Sequence, residues 1–380
     1  MHKPILISQK EARKIILHSQ GLYKNWNNTL DVIKQLSYVQ IDTISVTERS
    51  HNHILYNRNT DFKQGRLLAL MSNKAIFEYW SHAAAYLPME DYRFSLLKKK
   101  HYRNGGKHWF PRDKKVEKYV IDKIKAEGPL KSKDFISNKN HKNLWFEWKP
   151  TKVALTNLFM DGSLMIANRE GFQKIFDITE RVLPSNINTT IPTKHDYCKH
   201  LIKNAIKSQG VVTISEIGYK KTSLKPYIKN AIKELIENNN IIEVNVIGND
   251  NLYFSTKEKL NLINNTNRSS NEIQILNPFD NLLIQRKRIK ELFNFDYMIE
   301  CYVPQRNRKF GYYTLPVLYG DKFVLRLDAK ADRKTGIFNI KNIWFEKGFQ
   351  TTKDFNHALK LKLLEFSYFC GCQTINKKFD

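Results

Sequence analysis

"VEKYVIDKIKAEGPLKSKDF" occupies residues 116–135 and "YCKHLIKNAIKSQGVVTISEI" occupies residues 197–217. The two stretches share little identity but one layout: apolar residues at helical spacing, a glycine stop, then the lead-in to a second helix. In the first, Val116, Val120, Ile121 and Ile124 share a face, and Gly128 with Pro129 ends the helix; in the second, Gly210 is the stop. Each continues into a further helix and a hairpin. Residues 149–179, "KPTKVALTNLFMDGSLMIANREGFQKIFDIT", place Val153, Leu155, Leu158 and Phe159 on that helix, and Asp161-Gly162 turns the chain into β-forming residues. Residues 224–255 do the same through Ile228, Ile232, Leu235 and Ile236, with a wing tip at Gly248 to Asn251. A repeated helix, turn, helix and hairpin reads as tandem winged helices.

The chain's start, "EARKIILHSQGL" followed by "TLDVIKQLSYVQIDTI", also ends a helix at glycine and begins another after Thr29, and reads as a third, divergent copy. A polar stretch at 255–276 reads as a linker. Beyond it, "YMIECYVP", "FGYYTLPVLYG", "KFVLRLDAKAD" and "IFNIKNIWFE" are β-patterned and "DFNHALKLKLLEFSYFC" is a closing helix, which predicts a small barrel or β-rich domain. The fold class expected is α+β: a divergent module over 1–110, winged helices over 111–190 and 191–258, and a β-rich domain over 259–380.

Length and a hydrophobic content of 41% fit a globular protein of several domains. Lysine and arginine exceed aspartate and glutamate by 63 to 37, a formal charge of +26 spread along the chain, which points to a polyanionic partner. A lysine-rich composition can also arise without selection for a ligand. The start, "MHKPILISQKEARK", has too short an apolar run for a secretory signal, and no stretch approaches a membrane span. A cytoplasmic monomer that binds no membrane is expected. Cys198, Cys301, Cys370 and Cys372 form no secreted-type framework, and "CGC" lacks the second cluster a metal site needs. Neither metal nor cofactor is expected.

Candidate phosphate contacts on the recognition helices are Lys149, Lys152, Lys220, Lys221, Lys225 and Lys229; for any one of them a solvated helix face is the plainer reading. Two further basic clusters, Arg286, Lys287 and Arg288, then Arg306, Arg308 and Lys309, interleave with Phe293, Phe295 and Tyr297. Those rings suit base stacking or an ordinary core.

The remaining stretch of interest is "VQIDTISVTERSHNHILYNR", residues 39–58. An extended backbone would put Gln40 and Asp42 on one side, presenting an amide beside a carboxylate. Such a pair can orient water and stabilise positive charge developing on a sugar; it can equally be a structural hydrogen-bonding pair. His51 and His53 lack partners for a metal.

These segments, with "FEYWSHAAAYLPMEDYR", "NPFDNLLIQRKR" and "FDYMIECYVPQRNRKFGYYTLPVLYGDKFVLRLDAKADR", closely resemble the YcaQ/AlkZ-like DNA glycosylases over nearly the whole chain. The resemblance implies three winged helices and a β-barrel around a concave DNA channel. It implies a catalytic Gln-hydrophobic-Asp motif at Gln40, Ile41 and Asp42, and a monofunctional enzyme that releases N7-alkylguanine and unhooks interstrand crosslinks in double-stranded DNA. Arg49, His51, His53, Arg58, Trp80 and His82, in the matching segments, would then contact DNA along with Lys152, Lys220, Lys221, Lys225, Arg286, Arg288, Arg306 and Arg308; a packing role suits Trp80 equally. The rival readings are a winged-helix transcription regulator without catalysis and a metal-dependent DNA enzyme.

Overall fold

The computed structural model describes residues 3–107, 109–135, 149–264 and 272–377. The chain divides into two compact units, one built from residues 1–62 and 198–380 and the other from residues 63–197.

The 63–197 unit opens with the helix Gly65–Ser72, an antiparallel hairpin of Ile76–Trp80 and Ala84–Pro88, and the helix Tyr92–Arg103. The helix Lys114–Glu127 starts where the Asp113 carboxylate accepts the N–H groups of Lys115 and Val116. It ends at Gly128, whose φ of +88° suits glycine. The helix Pro150–Met160 and the hairpin Leu164–Glu170 with Gln173–Ile178 follow, and Leu130–Lys131 joins the hairpin as a third strand. The first helix, the later helix and the hairpin of the expected order are present, while the second helix anticipated after "LKSKDF" falls on residues 136–148, outside the described residues.

Lys99 lies within this unit's apolar interior at 3% exposure. Its Nζ stands 3.8 Å from the Tyr92 ring centroid and 4.8 Å from that of Tyr79, with no hydrogen-bond partner among the described residues. Burial, then the charge of Arg103, holds the amine well below the usual lysine range. The folded state thus binds this proton less tightly than the unfolded chain, so the charge costs stability at neutral pH, a cost relieved only as pH climbs toward the ordinary lysine value of about 10.4. Lys99→Met should keep the packing and raise the melting temperature at pH 7. A lower melting temperature would mean that attraction to the rings outweighs desolvation.

In the other unit the helices Gln9–Ser19 and Thr29–Leu36 precede the short strand Val39–Gln40 and the helix Ser50–Tyr56. A capping box joins Ser8 and Glu11 at the start of the first helix. The helices Lys194–Gln209, Ile214–Ile217 and Lys225–Glu237 bury Cys198, Ile202, Ile206, Ile228 and Ile232 in one core. They lead to a hairpin of Ile242–Val246 and Leu252–Ser255. Ile5–Ile7 adds to that hairpin in parallel, Ile5 opposite Val244, a pairing local sequence pattern does not announce. Gly210 makes the approach of the first helix possible: a Cβ there would stand 2.6 Å from Ile15 Cγ2.

The stretch read as a linker is only partly one. It contains the helix Lys257–Asn261 and the strand Ile273–Ile275, while residues 265–271 lie outside the described residues. The strand-rich end is a five-stranded sheet rather than a closed barrel. Its order is Ile273–Ile275, Thr314–Tyr319, Lys322–Asp332, Ile337–Phe345 and Thr374–Lys377; the last pairing is parallel and the others antiparallel. Among the described residues no pairing joins its two edge strands. "YMIECYVP" is irregular chain and not a strand. The helix Lys353–Phe369 seats Phe366 against Phe338 of this sheet, ring centroids 5.7 Å apart, and against His53, 4.6 Å away.

Candidate active site

Only Val39 and Gln40 of the "YVQIDTISV" stretch form a strand; the chain then leaves regular structure until Ser50. Asp42 makes the change of direction itself, since its Oδ1 accepts the Ile44 N–H at 2.8 Å. The Gln40 side chain also hydrogen-bonds this carboxylate, so the amide and the acid do come together. Gln40 is buried at 6% exposure and Asp42 is half-buried. Burial raises the Asp42 carboxyl above its ordinary value, against the lowering effect of the bonds from Ile44, Gln40 and Thr43. No salt bridge to Asp42 occurs among the described residues. Among the described residues, then, the carboxylate is supported by hydrogen-bond dipoles and by no ion pair.

The loop is pinned at both ends. Asn281 Nδ2 donates to the Tyr38 carbonyl at 2.9 Å, and Ser50 Oγ donates to the Gln40 carbonyl at 3.0 Å. At the far end the Ala331 N–H donates to the Val46 carbonyl at 3.0 Å. Arg333 donates to the Thr47 carbonyl and, at 2.9 Å, to Glu48 Oε2. The other Glu48 oxygen accepts the Arg49 N–H and the Asn52 amide where the helix Ser50–Tyr56 begins.

Behind this loop, "NPFDN" at 277–281 forms a turn closed by the Asp280 N–H to the Asn277 carbonyl at 2.8 Å. Arg58 grips it through two bonds to Asp280, at 2.8 and 2.9 Å, with both side chains fully buried. The same guanidinium donates to the carbonyls of Gln20 and Ile54. His53 Nε2 and Asn57 Nδ2 both meet the Ile275 carbonyl. Burial pushes the His53 imidazole down to about 4, so it is neutral at physiological pH. Asn277 and the Tyr313 hydroxyl, 3.1 Å apart, complete the layer, and the Asp42 charge acts on Tyr313 as well as on Cys301 and Tyr302.

The expected DNA contacts therefore divide. Arg58 and His53 are interior groups, as is Arg288, whose guanidinium is spent on Glu216 and the carbonyls of Val211 and Gln209. Arg286 donates to the carbonyls of Leu283 and Pro278 and lies over the Tyr297 ring at 4.7 Å. His51 is buried at 6% exposure, and Arg49, Lys221 and Arg308 are half-buried. Lys220, Lys225 and Arg306 are exposed. In the 63–197 unit Lys152 is exposed in the first turn of its helix, while Trp80 and His82 are half-buried at the hairpin turn, Trp80 edge-on to Trp109 at 4.7 Å. Phe293, Phe295 and Tyr297 are core residues. Among the described residues no group of three or more His, Cys, Asp or Glu side chains is placed to hold a metal, and no helix is long and apolar enough to cross a membrane. The supporting residues Asn277, Asp280, Asn281, Glu48 and Arg333 were not among the expected site residues; all five lie in the segments that carry the family resemblance, and that was their signal.

A mixed α+β fold thus carries an amide hydrogen-bonded to a half-buried carboxylate. The family model of AlkZ-like DNA glycosylases matches residues 33–363, and the chain belongs to that family. Its fold is similar to that of the Streptomyces sahachiroi DNA glycosylase AlkZ, with a TM-score of 0.67 over 98% of this chain and 100% of that one, at 14% sequence identity.

Because Arg58 and Asp280 are buried as a pair, removing one charge strands the other. Asp280→Asn should cost about 3–5 kcal/mol of stability, seen as a lower denaturation midpoint, and the double change Arg58→Met with Asp280→Leu should recover much of it. Were Arg58→Met to weaken DNA binding without altering stability, its interior assignment would be wrong.

Proposed function

We propose that this chain is a monofunctional glycosylase that hydrolyses the N-glycosidic bond of N7-alkylguanine in double-stranded DNA and unhooks crosslinks formed through that atom. The observation that carries the reading is the half-buried Asp42 carboxylate, raised by burial and hydrogen-bonded by Gln40 and Ile44. Alkylation at N7 already makes the base a good leaving group. As the bond from the sugar to N9 breaks, its electron pair returns to the base and an oxocarbenium-like sugar remains. Asp42 stabilises that cation, and Gln40 holds the water that adds to it; the water's proton passes to Asp42 or to solvent, leaving an abasic site. A pinned loop suits this role, because dipoles already in position cost no reorganisation during the reaction.

In this reading winged-helix modules over 111–190 and 191–258, with a divergent one inside 1–110, bind the duplex through cations such as Lys152, Lys220 and Lys225. A base tethered to the opposite strand resists full extrusion, so contacts to backbone and groove matter more than a closed pocket.

Single-turnover base release from DNA containing N7-methylguanine tests the proposal. Asp42→Asn should retain DNA affinity and lose much of the rate, Asp42→Ala should lose more, and Gln40→Ala should fall by about 10- to 1000-fold. Burial disfavours the ionised acid, so Asp42→Asn should melt no lower than the parent at neutral pH. Near-normal release by Asp42→Ala with intact binding would make the pair structural.

Release should persist in EDTA, and borohydride should trap no enzyme–DNA adduct. Binding should weaken by roughly 0.9 logarithmic units per phosphate contacted for each tenfold rise in salt, whereas a flat profile would contradict cationic docking.

A further inference from the structure

Tyr302 is 80% exposed, and Met298 beside it in the same segment is 63% exposed. Such exposure would be unremarked on a mobile loop, yet the segment between Asn294 and Thr314 is firmly built. The Glu300 carboxylate accepts three backbone N–H groups, from Lys309 at 3.1 Å, Phe310 at 2.9 Å and Gly311 at 3.1 Å. The Val303 N–H donates to the Glu300 carbonyl at 3.0 Å, and Arg308 Nε donates to the Val303 carbonyl at 2.8 Å. At the segment's ends Tyr297 donates to the Thr314 carbonyl, and Tyr313 is buried against Asn277.

The segment is also placed beside the catalytic loop. Gly311, at φ +104°, lies so close to Asp328 that a Cβ would stand 2.4 Å from its Oδ2. Asp328 belongs to the strand Lys322–Asp332, whose Ala331 holds Val46 of the loop that carries Asp42. One strand thus fixes both. The Asp42 charge acts on Tyr302 itself.

We propose that Tyr302 is a positioning residue: its ring stacks on a base of the duplex at the lesion and holds the glycosidic bond against Asp42. This rests on the glycosylase reading above. The ring contributes little to any core, whereas Phe295 and Tyr297 of the same stretch are 1% and 2% exposed and do that work. Its surroundings match a nucleic acid better than an apolar partner. Arg306 and Lys309 are exposed nearby, and the Arg308 guanidinium lies 5.1 Å from the Tyr312 ring, so flat apolar faces alternate with cations. A base presents a flat face and its phosphate an anion, which is the combination this surface complements.

The test uses the full chain and duplexes carrying N7-methylguanine with 2-aminopurine as the neighbouring base. Tyr302→Ala should lower single-turnover release by about 10- to 100-fold, as expected for one lost base–aromatic stack, and should abolish the change in 2-aminopurine fluorescence on binding. Its melting temperature should match the parent. Tyr302→Phe should restore both readouts, and Tyr368→Ala, which removes a ring 61% exposed on the helix Lys353–Phe369, should leave both unchanged. Parental release by Tyr302→Ala, or failure of Tyr302→Phe to rescue, would overturn the stacking role. If the parent releases no base, the glycosylase reading fails. The fluorescence change then decides for Tyr302 alone: dependence on the ring supports stacking, and independence refutes it.

Discussion

The Arg58 guanidinium and the Asp280 carboxylate meet in a fully buried, two-pronged ion pair, and the geometry around Asp42 depends on it. Through this contact the helix Ser50–Tyr56 and the "NPFDN" turn become one solid piece. Asn281 then reaches Tyr38, Asn277 reaches Tyr313, and the Ile275 carbonyl receives His53 and Asn57. Desolvating two charges is expensive, and an apolar pair of similar volume can be as stable. What the ion pair supplies beyond stability is direction, since a forked guanidinium accepts one orientation of its carboxylate and thereby sets the register of the turn against the loop.

Upon that base the loop from Ile41 to Arg49 is held by hydrogen bonds at its ends. Asp42 lies near its start, where burial disfavours its charge and no salt bridge among the described residues relieves it. Stability alone would favour an amide at that position. In the proposed reaction, a carboxylate kept there against its own solvation faces the positive charge that develops on the sugar, and the surrounding fold offsets the local cost.

Much of this was legible in the sequence. Glycine stops and helical spacing located the helices Lys114–Glu127, Lys194–Gln209 and Lys225–Glu237, and alternation located the long strands Lys322–Asp332 and Ile337–Phe345. "QID" picked out the amide and acid that the structure joins. The misreadings share a cause, which is that charge and pattern are local while burial is not. Arg58 looks like a phosphate contact until its carboxylate, 222 positions later, is found. Arg288 likewise finds its acceptors at Gln209 and Val211. "YMIECYVP" has strand composition, but Glu300 takes up three backbone N–H groups with its side chain, and the segment stays irregular. The parallel pairing of Ile5–Ile7 with Val244 to Val246 joins the two ends of a long stretch of chain, and nothing local encodes it.

In the proposed reaction the ionised form of Asp42 drives base release. The pH dependence of the single-turnover rate on N7-methylguanine DNA reads it most directly. Burial raises this acid, so protonation should remove activity as pH falls through a value above the ordinary aspartate range, with full rate on the alkaline side. The residual rate of Asp42→Asn should show no such inflection. An acid limb unchanged in Asp42→Asn, or a parental rate that stays flat down to the ordinary aspartate range, would contradict the claim.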